Sequence, residues 1–291
     1  MHSFLRAIGF SNVKSRLDFQ KILGIIMENP TDYSETIMDN KTRFVGMSKE
    51  FMKNIGIGIV GEYDEKGFFY LGHYFPYCQG NCVSMQEDVS ISKRVDTDAN
   101  TGMCDDMRFG VSMIFYLQNM AEFIYNGKML EGVASGGKIY LSALSIEGKV
   151  ILGLEQNEQQ IRHRQEENAQ RKRLNAEAKS GNQEAIDNLT IEDIDTYAMV
   201  SRRIRKEDLY TVVENTFIPY GSESDNYTVL ANIVESTELE NPMTKEKIYY
   251  MTLSCNDMLF NLCINKEDLV GVPYPGARFK GNIWMQGCVR G

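Results

Sequence analysis

The chain has 291 residues, 43% of them hydrophobic and 24% charged, an ordinary globular mix whose length suits two domains. Its formal net charge of −9 argues against a protein that coats nucleic acid through its overall field. The start, Met1-His2-Ser3-Phe4-Leu5-Arg6, lacks the basic and apolar regions of a secretion signal, and no apolar run approaches the roughly 18 residues of a membrane span, so a soluble cytoplasmic protein is expected.

From Ser15 to Glu28 the residues Leu17, Ile22, Leu23, Ile25 and Ile26 recur at helical spacing, and Asn29-Pro30 ends the run, which predicts a surface helix. Gly56-Ile57-Gly58-Ile59-Val60-Gly61 then matches the G-x-G-x-x-G string of dinucleotide sites. Such a site needs a strand before the glycines and a helix after them, so that a helix N-terminus meets the pyrophosphate. Here a helix-like stretch, Ser48 to Lys53, precedes, and a turn through Asp64 to Gly67 into Phe68-Phe69-Tyr70-Leu71 follows. The glycines therefore fall inside a strand, and no cofactor is expected.

Small residues on a strand face permit close approach of another element. The candidate is Phe109 to Tyr125, where Phe109, Met113, Tyr116, Leu117, Met120, Phe123 and Ile124, widened by Val111, Ile114 and Phe115, predict a buried helix. A third strand (Val89, Ile91, Val95), a polar loop from Asp96 to Asp106, and a hairpin of Lys138 to Leu144 with Lys149 to Leu154 around Glu147-Gly148 complete an antiparallel sheet with helices on one side.

The six cysteines, Cys78, Cys82, Cys104, Cys255, Cys263 and Cys288, are expected to be reduced. Cys78 and Cys82 have a spacing that zinc tolerates, with His73 nearby, but a structural site wants four ligands and no second pair exists, so no metal is expected. Cys104, Asp105 and Asp106 form a polar loop that, with His73, is the one candidate for Cys/Asp/His chemistry. The plainer reading is a helix N-cap supplying carboxylates to the positive end of the helix dipole.

Glu155 to Lys206 is long, charged, rich in helix formers and free of Pro. Glu158 with Arg162 and Glu167 with Arg171 are favourably oriented i,i+4 pairs. Ser180-Gly181-Asn182 punctuates the run, and Ala185, Ile186, Leu189, Ile194, Tyr197, Ala198 and Val200 restore an apolar face, with Thr190 as candidate N-cap. This is a helical connector.

Beyond it the pattern is strands: Leu209 to Val213, Tyr227 to Val234, Ile248 to Cys255, Leu259 to Ile264 and Arg278 to Met285, with a helical turn at Lys266 to Leu269. Five strands in that order suggest a small closed barrel of the oligonucleotide/oligosaccharide-binding (OB) type. In the last strand Ala277, Phe279, Ile283 and Met285 share the face that fills the barrel, while Arg278, Lys280 and Trp284 share the other. With Tyr250 these are the candidate binding residues, two cations beside an aromatic plane as on single-strand-binding surfaces. The competing reading docks Trp284 under the connector.

The expected fold is therefore α+β, with an N-terminal antiparallel sheet and packed helices over 1–154, a helical connector over 155–206 and an OB-like β-barrel over 207–291. Several strings, among them Phe4-Leu5-Arg6-Ala7-Ile8-Gly9-Phe10-Ser11, Tyr74-Phe75-Pro76-Tyr77, Ile114-Phe115-Tyr116-Leu117-Gln118-Asn119 and Arg278-Phe279-Lys280-Gly281-Asn282-Ile283-Trp284-Met285-Gln286-Gly287, carry an end-to-end resemblance to a clostridial family known as domain of unknown function 3881. The resemblance implies a bacterial, cytoplasmic protein and no catalytic residue. The first functional expectation is a non-enzymatic binding or regulatory protein with a protein partner. The alternatives are single-stranded nucleic-acid binding through Arg278, Lys280, Trp284 and Tyr250, and an enzyme using Cys104, Asp105, Asp106 and His73.

Overall fold

In a computed structural model the chain is built mainly of strands. The structure describes residues 2–37, 42–93, 99–106, 111–125, 128–129, 132–153, 213, 215–220 and 225–290, with 166, 169–170, 173–174, 176–178, 180–191 and 194 between them. Among the described residues no helix is long and apolar enough to cross a membrane.

A 3-10 turn at Ser3–Ile8 opens the chain and stops at Gly9, whose φ of 80° suits a residue without a Cβ. Helix α1 follows at Arg16–Glu28 with the expected limits. Ser15 Oγ accepts the Asp18 N–H while the Asp18 carboxylate accepts the Ser15 N–H, a reciprocal cap. Four strands then form an antiparallel meander: β1 (Asp32–Ile37), β2 (Arg43–Met52), β3 (Ile55–Tyr63) and β4 (Phe69–Cys78). The glycine string lies inside β3 as its context dictates. Ser48 to Lys53, expected as helix, belongs instead to the end of β2 and the turn into β3, with Asn54 at φ 64°. Leu5, Ile8, Phe19, Ile22 and Ile26 from the 3-10 turn and α1 share a core with Val45, Met47, Ile57 and Ile59 of the meander.

The remaining strands are β5 (Met85–Lys93), β6 (Asn100–Asp106), β7 (Val111–Leu117), a short hairpin of β8 (Ile124–Tyr125) and β9 (Lys128–Met129), β10 (Gly132–Ile151), β11 (Thr216–Pro219), β12 (Asn226–Glu240), β13 (Lys247–Cys255), β14 (Met258–Asn265), β15 (Leu269–Val270) and β16 (Arg278–Arg290). Two expectations fail here for identifiable reasons. The described part of the helix expected from Phe109 to Tyr125 is instead β7 followed by a 3-10 turn at Met120–Phe123, because Met113, Phe115 and Leu117 face one core while Tyr116 faces another, and a strand buried on both faces reads as a continuous apolar run. The hairpin around Glu147-Gly148 is absent, because β10 runs straight through it with only a register shift between Leu144 and Glu147 opposite β16.

The long strands β10 and β16 are the axis of the large sheet. They pair antiparallel from Lys138 opposite Arg290 to Ile151 opposite Arg278. β12, β13 and β14 form a meander whose first strand pairs antiparallel with β16 and whose last pairs parallel with β10, which closes a ring. β5, β6 and β7 repeat the plan with the long strands exchanged: β5 pairs antiparallel with β10, and β7 touches β16 in parallel at Gln286 and Gly287. Each meander-plus-long-strand unit thus borrows the other's long strand to close. One continuous interior core, including Val89, Met113, Leu141, Val229, Met251, Leu262 and Met285, fills the two rings.

This corrects the domain plan. Residues 207–291 do not fold as a separate body, since the strand that closes their ring is β10 from the first half, while the expected strand at 209–213 falls almost wholly outside the described residues. Residues 1–152 and 216–291 form one unit and 153–215 the other. Within the second unit Leu174, Ala178 and Ala185 are buried together against Leu189, across a turn at Gly181, where φ is 88°. Asn182 rather than Thr190 caps the second helix: its Oδ1 accepts the Glu184 N–H at 3.0 Å, while the Thr190 hydroxyl donates back to Ile186 O at 2.9 Å within the helix. Glu158 with Arg162 and Glu167 with Arg171 lie outside the described residues. Arg173 and Glu177 make an i,i+4 ion pair at 3.5 Å.

Candidate functional site

The alternation read in the last strand holds, with Ala277, Phe279, Ile283 and Met285 in the interior core. The opposite face is covered rather than open. Trp284 is 6% exposed and Arg278 2%. The Trp284 ring packs 4.8 Å from His2, 5.4 Å from Phe4 and 5.2 Å from Tyr116, and its Nε1 donates to Asp225 Oδ2 at 2.8 Å. The Arg278 guanidinium donates through Nε to Leu152 O at 3.1 Å. Lys280 is half-buried on the same strand, and the half-buried Tyr250 donates to Gln79 O at 3.4 Å. The four residues expected to make an exposed stacking face do not make one. What covers Trp284 is the N-terminal segment, through His2 and Phe4, an element whose role the sequence pattern did not signal.

The polar loop is likewise dispersed. Cys104 lies in β6, not at a helix N-terminus, and its Sγ packs 3.4 Å from Met85 Sδ inside the interior core. Asp105, on the outward side, accepts the Ser112 hydroxyl at 2.6 Å. Asp106 ends the strand. His73 sits on β4 with Nε2 3.0 Å from Tyr116 Oη, against the other core, so Cys104 and His73 are on opposite sides of the sheet. Cys78 is buried and Cys82 half-buried; all six cysteines are free thiols, and no group of three metal-binding side chains occurs among the described residues.

A site that the sequence did not announce lies between the small sheet and the rim of the large one. The glycine positions explain its floor. Tyr77 is opposite Gly56 and Phe75 opposite Gly58, so both rings lie flat across residues without side chains; a Cβ on Gly58 would stand 2.5 Å from the Phe75 ring. The same face carries Gly46, Ser48 and Val60, and from the edge strand β1 it carries Asp32 and Ser34. Gln118, Asn119, Met120 and Glu122, from the segment that follows β7, and Cys288 and Arg290 of β16 line its other side, leaving a cleft of about 250 Å³.

Buried amides fix the back of this cleft. Gln286, wholly buried on β16, donates from Nε2 to Pro76 O at 2.8 Å and accepts the Cys78 N–H at 3.3 Å, so its side chain pairs with the backbone of β4 as a strand would. Gln118 Nε2 donates to Cys78 O at 2.8 Å and to Gln286 Oε1 at 3.0 Å. Asn119 holds the rim by donating to Val289 O at 2.8 Å and to Glu122 Oε2 at 2.9 Å. Of the buried polar atoms lining the cleft, Gln118 Oε1 has no hydrogen-bond partner and Tyr77 Oη has only the Ser48 side chain near it. Tyr77 is 3% exposed, and burial, the largest influence, pushes its phenol well above the ordinary range, with Ser48 opposing. At the rim, burial raises the Cys288 thiol while Arg290 beside it pulls the other way, and the Arg290 guanidinium rests 5.1 Å above the Tyr140 ring. Tyr77 and Gln118 both fall in strings that carry the family resemblance, which was the only sequence signal pointing at them.

No curated protein and no solved structure matches the chain. The family model described as "Domain of unknown function, E. rectale Gene description (DUF3881)" matches residues 5–287. The chain belongs to that family of unknown function, over nearly its whole length.

Proposed function

We propose that this is a non-enzymatic binding protein that holds a small polar molecule in the cleft between the small sheet and the β7–β16 rim. The supporting observation is the Gln118 side-chain oxygen, buried at the cleft without a hydrogen-bond partner, together with the Tyr77 hydroxyl, whose one polar neighbour is the Ser48 side chain. An unsatisfied buried polar atom costs about 1–3 kcal/mol, and such a group in a native fold calls for an explanation that a ligand or trapped water supplies. The ligand is small, because about 250 Å³ lies below the roughly 300–1,000 Å³ of drug-sized pockets. A nucleic-acid reading lacks its stacking platform with Trp284 at 6% exposure, and a Cys/Asp/His enzyme lacks its pair with Cys104 and His73 on opposite faces. The ring of β12, β13, β14, β10 and β16, with a helical turn at Lys266–Asp268, is read as an OB-like barrel completed from the N-terminal side. The six free thiols favour a reducing compartment, the cytoplasm.

Thermal unfolding in the presence of neutral, anionic, cationic and zwitterionic metabolite panels tests the reading. At least one class raises Tm saturably, as ligands of the native state must. Ser34→Leu, which fills the mouth of the cleft, abolishes that shift. Absence of a saturable shift with every panel, or an undiminished one in Ser34→Leu, refutes the site.

A further inference from the structure

We propose that the ligand of this cleft is a zwitterion of amino-acid size, its carboxylate on Arg290 and its ammonium on Asp32. The inference rests on the reading of the cleft as a binding site and goes beyond it in naming the chemistry. Two carboxylates, Asp32 and Glu122, and one guanidinium, Arg290, line the cleft. Glu122 is engaged by the Asn119 amide at 2.9 Å. Neither Asp32 nor Arg290 makes an ion pair with another described residue. Arg290, though exposed, rests on the Tyr140 ring with the Cys288 thiol beside it.

An arginine resting on an aromatic ring, with its fork in no ion pair among the described residues, is suited to bidentate capture of a carboxylate. A simple anion such as a phosphate ester meets two carboxylates here, and a simple cation meets Arg290. Only a molecule carrying both charges satisfies both walls. Tyr77 and Gln118 line the same cleft, and Gln118 Oε1, buried without a partner, is an acceptor suited to an ammonium or amide N–H. The floor of Phe44, Val60 and Phe75 is apolar and fits an aliphatic or thioether side chain.

Calorimetric titration of the full chain with L-leucine, L-methionine and L-phenylalanine, each beside its amide and its N-acetyl derivative, tests this. At least one free amino acid binds saturably, and removing either charge weakens it about tenfold or more, the size of a hydrogen bond to a charged group. Arg290→Gln lowers affinity for the free amino acid to that of its amide and leaves the amide's affinity unchanged; Asp32→Asn does the same for the N-acetyl derivative. Equal binding of all three forms overturns the zwitterion. So does failure of every amino acid to bind while another metabolite class stabilises the protein, an outcome that leaves the cleft itself standing. If no class stabilises, the cleft falls and the zwitterion with it.

Discussion

His2 sits among rings, 4.8 Å from Trp284, 5.9 Å from Phe4 and 6.3 Å from Tyr74, and its backbone N–H donates to Tyr74 Oη at 2.9 Å. Burial, with smaller help from the positive N-terminus and His73, lowers its pKa from 6.5 to about 4. The unfolded chain therefore binds a proton near pH 6.5 that the folded chain refuses until about pH 4. Stability contributed by the neutral ring is complete above pH 6.5 and drains away as pH falls to 4, by about 2–3 kcal/mol after allowance for partial exposure. The other groups facing this pocket are His73, Tyr116 and, through Trp284, Asp225. Urea denaturation of the native chain and of His2→Phe across that range isolates the effect: the variant loses the acid-side decline assigned to His2. Parallel curves for the two proteins would remove His2 from the account.

Elements differ in how openly the sequence declares them. Helix α1 was legible because its apolar residues recur at helical spacing and Asn29-Pro30 stops them, and β3 was legible because its flanking turn contradicts a helix. The strand β7 was not, since burial on both faces erases the period of two that marks a strand. The cleft was hidden for a related reason. Its working atoms come from β1, β4, β7 and β16, and no local spacing records that those strands meet. The two glycines Gly24 and Gly58 carry the same contrast into an experiment. Nothing lies within 4 Å of a Cβ placed on Gly24 in α1, so Gly24→Ala is stabilising by about 0.5–1 kcal/mol through helix propensity. A Cβ on Gly58 meets the Phe75 ring at 2.5 Å, so Gly58→Ala is destabilising by about 1–3 kcal/mol and displaces the floor of the cleft. Denaturant midpoints that move the same way for both variants contradict the packing described for β3.

At the scale of the molecule, the decisive fact is that the chain leaves the main body after Leu152 and returns at Thr216 to complete a sheet begun before it left. The expectation of two bodies on a rod followed from charge and helix formers in the connector, which say nothing about which strands pair across it. Pairing of β10 with β16 from Lys138–Arg290 to Ile151–Arg278 makes the two halves interdependent, because each ring lacks a wall without the other half's long strand. Cutting the chain inside the connector, at a protease site introduced into the turn at 180–182, tests that dependence directly. The halves remain together through gel filtration at the mass of the whole chain. After separation in denaturant neither half alone regains a cooperative transition, since an unpaired long strand exposes its ladder and half of the interior core. Mixed together they regain it, at a rate that depends on concentration. Halves that part on cleavage and refold singly belong to a protein with two independent bodies, whose β10 and β16 would then have to find closure within their own segments.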